Sequence, residues 1–124
     1  MLPEEKERRE FFRVPIRTPL EFKAYGERKV HATARNISQT GILFQTEGEA
    51  PKLSSIVWLS LDFRTLKICQ EIEGRALIMN NGILGKVVRV EEDIDNGNAY
   101  DVGVCFLRKD QQGSAEVEAL LRTV

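Results

Sequence analysis

What most constrains this chain is a succession of short segments in which apolar and polar residues alternate, each ended by a cluster of turn-forming residues. Leu20, Phe22 and Ala24 alternate with Glu21, Lys23 and Tyr25 until Gly26 stops the run. Over 30–37, Val30, Ala32 and Ala34 alternate with His31, Thr33 and Arg35. Successive side chains of an extended strand point to opposite faces, so each such segment buries one face and wets the other. After a polar interruption at 36–41, an apolar strand resumes over 41–46, which predicts a β-hairpin. Further strands are predicted over 56–63, 72–79, 84–90 and 99–107, with turns at Asn80-Asn81-Gly82 and Asp95-Asn96-Gly97. Short strands at this spacing predict a closed or nearly closed antiparallel barrel, because closure removes the unpaired edges that an open sheet leaves.

The two ends read differently. Residues 1–13 are mostly charged, and Glu4 and Glu5 stand four positions before Arg8 and Arg9, a spacing that supports a short helix or a mobile arm. Val14-Pro15 ends any helix there and, with Pro19, makes 14–19 a connector. The expected organisation is an arm, 1–13, and one barrel-plus-helix unit, 14–124. Beyond Arg108, Val117, Leu120, Leu121 and Val124 recur at helical spacing. Asp110 can cap this helix, although Gly113 weakens the first turn and allows a start at Ser114. The helix is expected to pack against the barrel or plug an open end.

At 124 residues and 42% hydrophobic, the chain can bury a single core, and none of its apolar runs approaches the ~20 residues of a bilayer span. Membrane insertion is not expected. The charged amino terminus lacks the apolar stretch of a secretory signal, so a cytoplasmic location is expected. Cys69 and Cys105 form no CxxC or Cys/His cluster and are expected to be buried reduced thiols. Catalysis finds little support: the lone His31 sits mid-strand and no HExxH, P-loop, GxGxxG or EF-hand pattern occurs. Glu91, Glu92, Asp93 and Asp95 read as a solvated turn. No enzymatic activity, cofactor or metal site is expected.

The net charge of −1 is unevenly spread: residues 6–35 carry 9 Lys or Arg against 4 Asp or Glu, and the remainder 9 against 15. An acidic remainder disfavours DNA or RNA as partner and suits a small anionic ligand. Two clusters could hold one. In Arg8-Arg9-Glu10-Phe11-Phe12-Arg13, the spacing of Arg9 and Arg13 places both on one side, and the planar guanidinium fork fits phosphate or the O6/N7 edge of guanine. In Asn36-Ile-Ser-Gln-Thr-Gly41, Asn36 and Ser38 share a face if extended, and Gly41 permits positive φ or a close backbone approach. Each cluster also fits a plainer reading, as a charged leader and a hairpin turn.

Together, RRxxxR at Arg8, Arg9 and Arg13 and NxSxxG at Asn36, Ser38 and Gly41, 23 residues on from Arg13 with a strand between, resemble the PilZ domain family. The segments 85–90 and 100–106 are similar to the family's last two strands. The resemblance implies a six-stranded antiparallel β-barrel with a C-terminal α-helix and a mobile N-terminal arm. It further implies a receptor for the bacterial second messenger cyclic dimeric GMP (c-di-GMP). On that resemblance, Arg9 and Arg13 contact guanine and phosphate, Arg8 extends the clamp, and Asn36, Ser38 and Gly41 form the facing wall. An arginine at the position of Arg8 accompanies a stacked ligand pair in similar domains, which implies two c-di-GMP molecules per chain. The expected role is that of a stand-alone adaptor that relays the ligand to an unidentified downstream protein. The alternative is a PilZ-like interaction module that binds no nucleotide.

Overall fold

The computed structural model describes residues 13–124. In chain order its elements are β1 (Val14–Ala24), β2 (Val30–Ile37), β3 (Gly41–Glu47), β4 (Ile56–Ser60), α1 (Cys69–Arg75), β5 (Ile78–Met79), β6 (Gly82–Glu92), β7 (Ala99–Phe106) and α2 (Ala115–Leu121), with a 3-10 turn at Lys109–Gln111. The strands pair antiparallel in the order β4-β1-β2-β3-β7-β6, and β4 pairs with β6 to close a six-stranded barrel. The two-residue β5 pairs only with the start of β6.

The alternation seen in the sequence is what fills the barrel. Phe22 from β1, Ala34 and Ile37 from β2, Ile42 and Phe44 from β3, Val57 and Leu59 from β4, and Val87, Val102 and Val104 from β6 and β7 are all buried together. The rings of Phe22 and Phe44 meet with centroids 5.1 Å apart. Burying an aliphatic or aromatic side chain of this size contributes roughly 1.5–3 kcal/mol, so this cluster is the main source of cohesion.

Residues 72–79, read from sequence as a strand, instead divide between α1 and β5. Ile72 within α1 and Ala76 just past its end both reach the barrel core, and are 0% and 1% exposed. Residues 14–19, read as a connector, are the first half of β1. Only Glu21–Ala24 of that strand pair with β4, so among the described residues the first half is bonded to β2 alone, and a proline there breaks no ladder bond on its other side. The expectation of buried thiols also fails: Cys69 is half-buried and Cys105 exposed, both free.

Strand β4 is covered on both faces. Val57 and Leu59 enter the barrel, whereas Trp58 points outward into a second core formed with Leu77, Leu84, Leu107, Val117 and Leu120 beneath α2. The indole N–H of Trp58 donates to the Met79 carbonyl at 3.2 Å. The terminal helix therefore packs on the barrel wall. Its N-terminus is fixed by Ser114, whose hydroxyl accepts from the Val117 backbone N–H at 3.2 Å. Replacing Ser114 with alanine is expected to cost about 1 kcal/mol, measurable as a lower urea midpoint with an unchanged slope.

Candidate functional site

Two β-bulges shape the outer wall opposite α2. In β2, Ala34 pairs with Phe44 and Asn36 with Leu43, so Arg35 is an extra residue. In β6, Val87 pairs with Val104 and Arg89 with Gly103, so Val88 is an extra residue. A bulge shifts the inside–outside phase by one. Its effect here is that Ile37 and Val87 reach the core while Asn36, Val88 and Arg89 are left on the outer face.

Between the bulges, the register sets one row of residues across four strands: Asn36, Leu43, Gly103 and Arg89. At about 4.8 Å per strand this row spans roughly 14 Å. Gly103, with no side chain, leaves a trough in its middle, and a β-carbon there would lie 3.2 Å from the Arg89 Cβ. The resulting concavity, about 320 Å³, is lined by Arg13, Asn36, Gly41, Leu43, Val88 and Arg89, among others.

The sequence motifs meet this row in part. Arg13 donates from Nη1 to the Asn36 side-chain carbonyl at 2.8 Å, joining the end of the arginine motif to the start of the second motif. Arg8 and Arg9 lie outside the described residues. Ser38 departs from the expected shared exposed face: it is 2% exposed, and its Oγ accepts from the backbone N–H groups of Thr40 and Gly41, both at 3.2 Å. Its own backbone N–H donates to the Gly41 carbonyl at 2.8 Å. Ser38 thus builds the β2–β3 turn beneath the row.

Gly41 serves close approach, not positive φ. A β-carbon at this position would sit 2.5 Å from the Val104 carbonyl oxygen across the β3–β7 pair. His31, singled out as the lone histidine, is exposed on β2 with Nε2 3.7 Å from a Glu21 carboxylate oxygen and lies away from the row.

Residues that sequence reading missed are Leu43, Val88, Arg89 and Gly103. The signal for Val88 and Arg89 was the adjacent apolar pair Val87-Val88, which breaks the alternation of β6 and marks its bulge, whereas Leu43 and Gly103 are placed by register alone. Arg89 is held by Glu91 in a two-point contact, Nε to Oε1 at 2.6 Å and Nη2 to Oε2 at 2.9 Å. The hydrogen bond and the charge of Arg89 hold the Glu91 carboxyl below its ordinary range, and the same pairing raises the Arg89 pKa. A carboxyl with a depressed folded pKa contributes above its unfolded value, about 4.3, and loses that contribution as the pH falls through the folded value. NMR titration is therefore expected to show Glu91 protonating below the ordinary glutamate range, and Arg89→Ala to return it there.

The next row on the same face is acidic. Gln45 donates to Asp93 at 2.8 Å and Asp101 at 3.2 Å, and Asp101 pairs across strands with Glu91. On the other side of the Gly103 row, Cys105 pairs across strands with Gly41 and Lys86. Uncompensated positive charge along this row therefore sits at the Arg13 end, because Arg89 is offset by Glu91, and the Gln45–Asp101 side is acidic. A second, larger pocket of about 490 Å³ beside α1 is lined by Asp62, Arg64 and Glu73 with Leu61, Phe63 and Ile78, and there Arg64 is already paired with Asp62 at 3.4 Å. Among the described residues, no group of three or more His, Cys, Asp or Glu could hold a metal ion, and no helix is long and apolar enough to cross a membrane.

The chain is thus a closed six-stranded barrel with a helix on its wall and a bulged, arginine-bearing outer face. The model of the PilZ domain family matches residues 7–123, and the chain belongs to that family, a c-di-GMP receptor family of binding and adaptor domains. The Bacillus subtilis inhibitor of motility (MotI/DgrA) has a similar structure, with a TM-score of 0.53 at 16% identity. That match covers 99% of this chain and 56% of the other, so the chain spans little more than half the length of its structural neighbour. No curated protein matches the sequence.

Proposed function

We propose that this chain binds c-di-GMP on the outer face of the barrel and relays the bound state to a partner protein in the cytoplasm. The observation that carries the reading is the Arg13–Asn36 hydrogen bond, because it ties the two motifs to the edge of one concavity. Arg9 and Arg13 supply guanidinium forks for guanine and phosphate, and Arg8 extends them to a second, stacked ligand molecule. Asn36 offers its amide to the ligand, while Ser38 and Gly41 hold the turn and the strand approach that present it. Relay follows if ligand binding changes the surface a partner meets.

Isothermal titration of c-di-GMP into the protein, with GTP and cyclic AMP as controls, tests this. Saturable binding near two molecules per chain, absent for both controls, is expected. No heat and no thermal shift with c-di-GMP would overturn it in favour of an interaction module that binds no nucleotide.

A further inference from the structure

Arg89 and Glu91 belong to neither sequence motif, yet Arg89 stands at the far end of the row that begins at Asn36. Its contact with Glu91 uses Nε and Nη2, the side edge of the guanidinium. The end edge, carrying Nη1–H and the second Nη2–H, keeps its donors in a fixed plane. The carboxylate also offsets the local charge of the arginine, and Asp101 adds further negative charge beside it. A cation so compensated is a poor partner for phosphate but a good donor pair for a neutral base edge.

We infer that Arg89 reads the guanine O6/N7 edge of the ligand through its end edge, and that Glu91 is the positioning residue that fixes its plane. Guanine presents two acceptors to such a fork, whereas adenine replaces one with an amino donor, so the contact confers base specificity. Gly103 supports it by leaving the trough open: the Arg89 Cβ is already 3.2 Å from where a Gly103 side chain would begin. The inference rests on the proposed c-di-GMP function and names how that site selects its base.

The test is titration of c-di-GMP and cyclic di-AMP into the wild type, Arg89→Ala, Arg89→Lys, Glu91→Gln and, as a reference, Arg13→Ala. Arg89→Ala is expected to weaken c-di-GMP binding about tenfold and to narrow the preference over cyclic di-AMP by a similar factor. Arg89→Lys, which keeps the charge and loses the fork, is expected to match it. Glu91→Gln is expected to weaken c-di-GMP binding in the same direction, with circular dichroism melts unchanged for all these exposed positions. A phosphate contact would give the opposite pattern. Arg89→Lys would then retain binding, Glu91→Gln would tighten it, and both dinucleotides would weaken equally in Arg89→Ala; any of these overturns the inference. Wild-type binding lost in Arg13→Ala but unchanged in the Arg89 variants overturns this inference alone, and no wild-type binding overturns the c-di-GMP function with it.

Discussion

Replacing Gly41 with alanine is expected to destabilise the barrel by about 1–3 kcal/mol, the usual cost of forcing an extra methyl into a packed interior. The added β-carbon would lie 2.5 Å from the Val104 carbonyl oxygen and 3.6 Å from the Cys105 Cα. Both are backbone atoms of β7, so no side-chain rotation relieves the contact and the two strands must part. Parting them breaks the β3–β7 ladder at the end where Gly41 pairs with Cys105 and where the Thr40 carbonyl accepts from the Phe106 N–H at 2.9 Å. It also disturbs the turn, because the Gly41 N–H and carbonyl are both bonded to Ser38. Urea unfolding with tryptophan fluorescence at Trp58 measures the loss, and a midpoint equal to wild type would show that β3 has room to move. A binding defect in this variant is therefore expected to be indirect, and should shrink at lower temperature where the folded fraction recovers.

Local patterning decides which parts of the molecule are legible in its sequence. Strands β2 and β3 were legible because each keeps one apolar face, and the motif between them is rich in turn formers. Strand β1 was legible only from Leu20: the alternation of Val14, Ile16 and Thr18 was masked by two prolines, whose cost depends on which side of the strand is paired. The sequence reading placed a strand across α1 because seven residues contain too few turns to separate a period of two from one of 3.6. Ile72 stands out as the buried face of α1 only once the core it reaches is known.

Half of the candidate site was hidden for a related reason. Arg13 and Asn36 belong to compact motifs, but Leu43, Gly103 and Arg89 become one row only through the register of β3, β7 and β6. The bulges decide that register, and a bulge is a property of a strand pair. Without the extra residue Arg35, the alternation of β2 would turn Asn36 inward with Ala34 and expose Ile37. The shift that buries Ile37 is thus the shift that leaves Asn36 half-exposed beside Arg13. Core packing and site exposure are coupled here through a single inserted residue.

Arginine 13 is where that coupling meets the ligand, and Arg13→Ala is expected to reduce c-di-GMP affinity by about one to two orders of magnitude, the range of a charged hydrogen bond lost from a binding site. Fold stability should hold within about 0.5 kcal/mol, as for surface substitutions generally, because Arg13 is exposed and its only described side-chain partner is the Asn36 amide at 2.8 Å. Asn36→Ala removes that partner and an amide from the site, so it should weaken binding less than Arg13→Ala does. If the two side chains act as one unit, the double variant will bind about as weakly as Arg13→Ala alone, a departure from additivity that a double-mutant cycle resolves. Additive losses would show that each meets the ligand separately and that their mutual hydrogen bond gives way on binding. Equal affinity of Arg13→Ala and wild type, in titrations at the same salt concentration, would remove the arginine motif from the site, and loss of fold in the variant would make Arg13 structural.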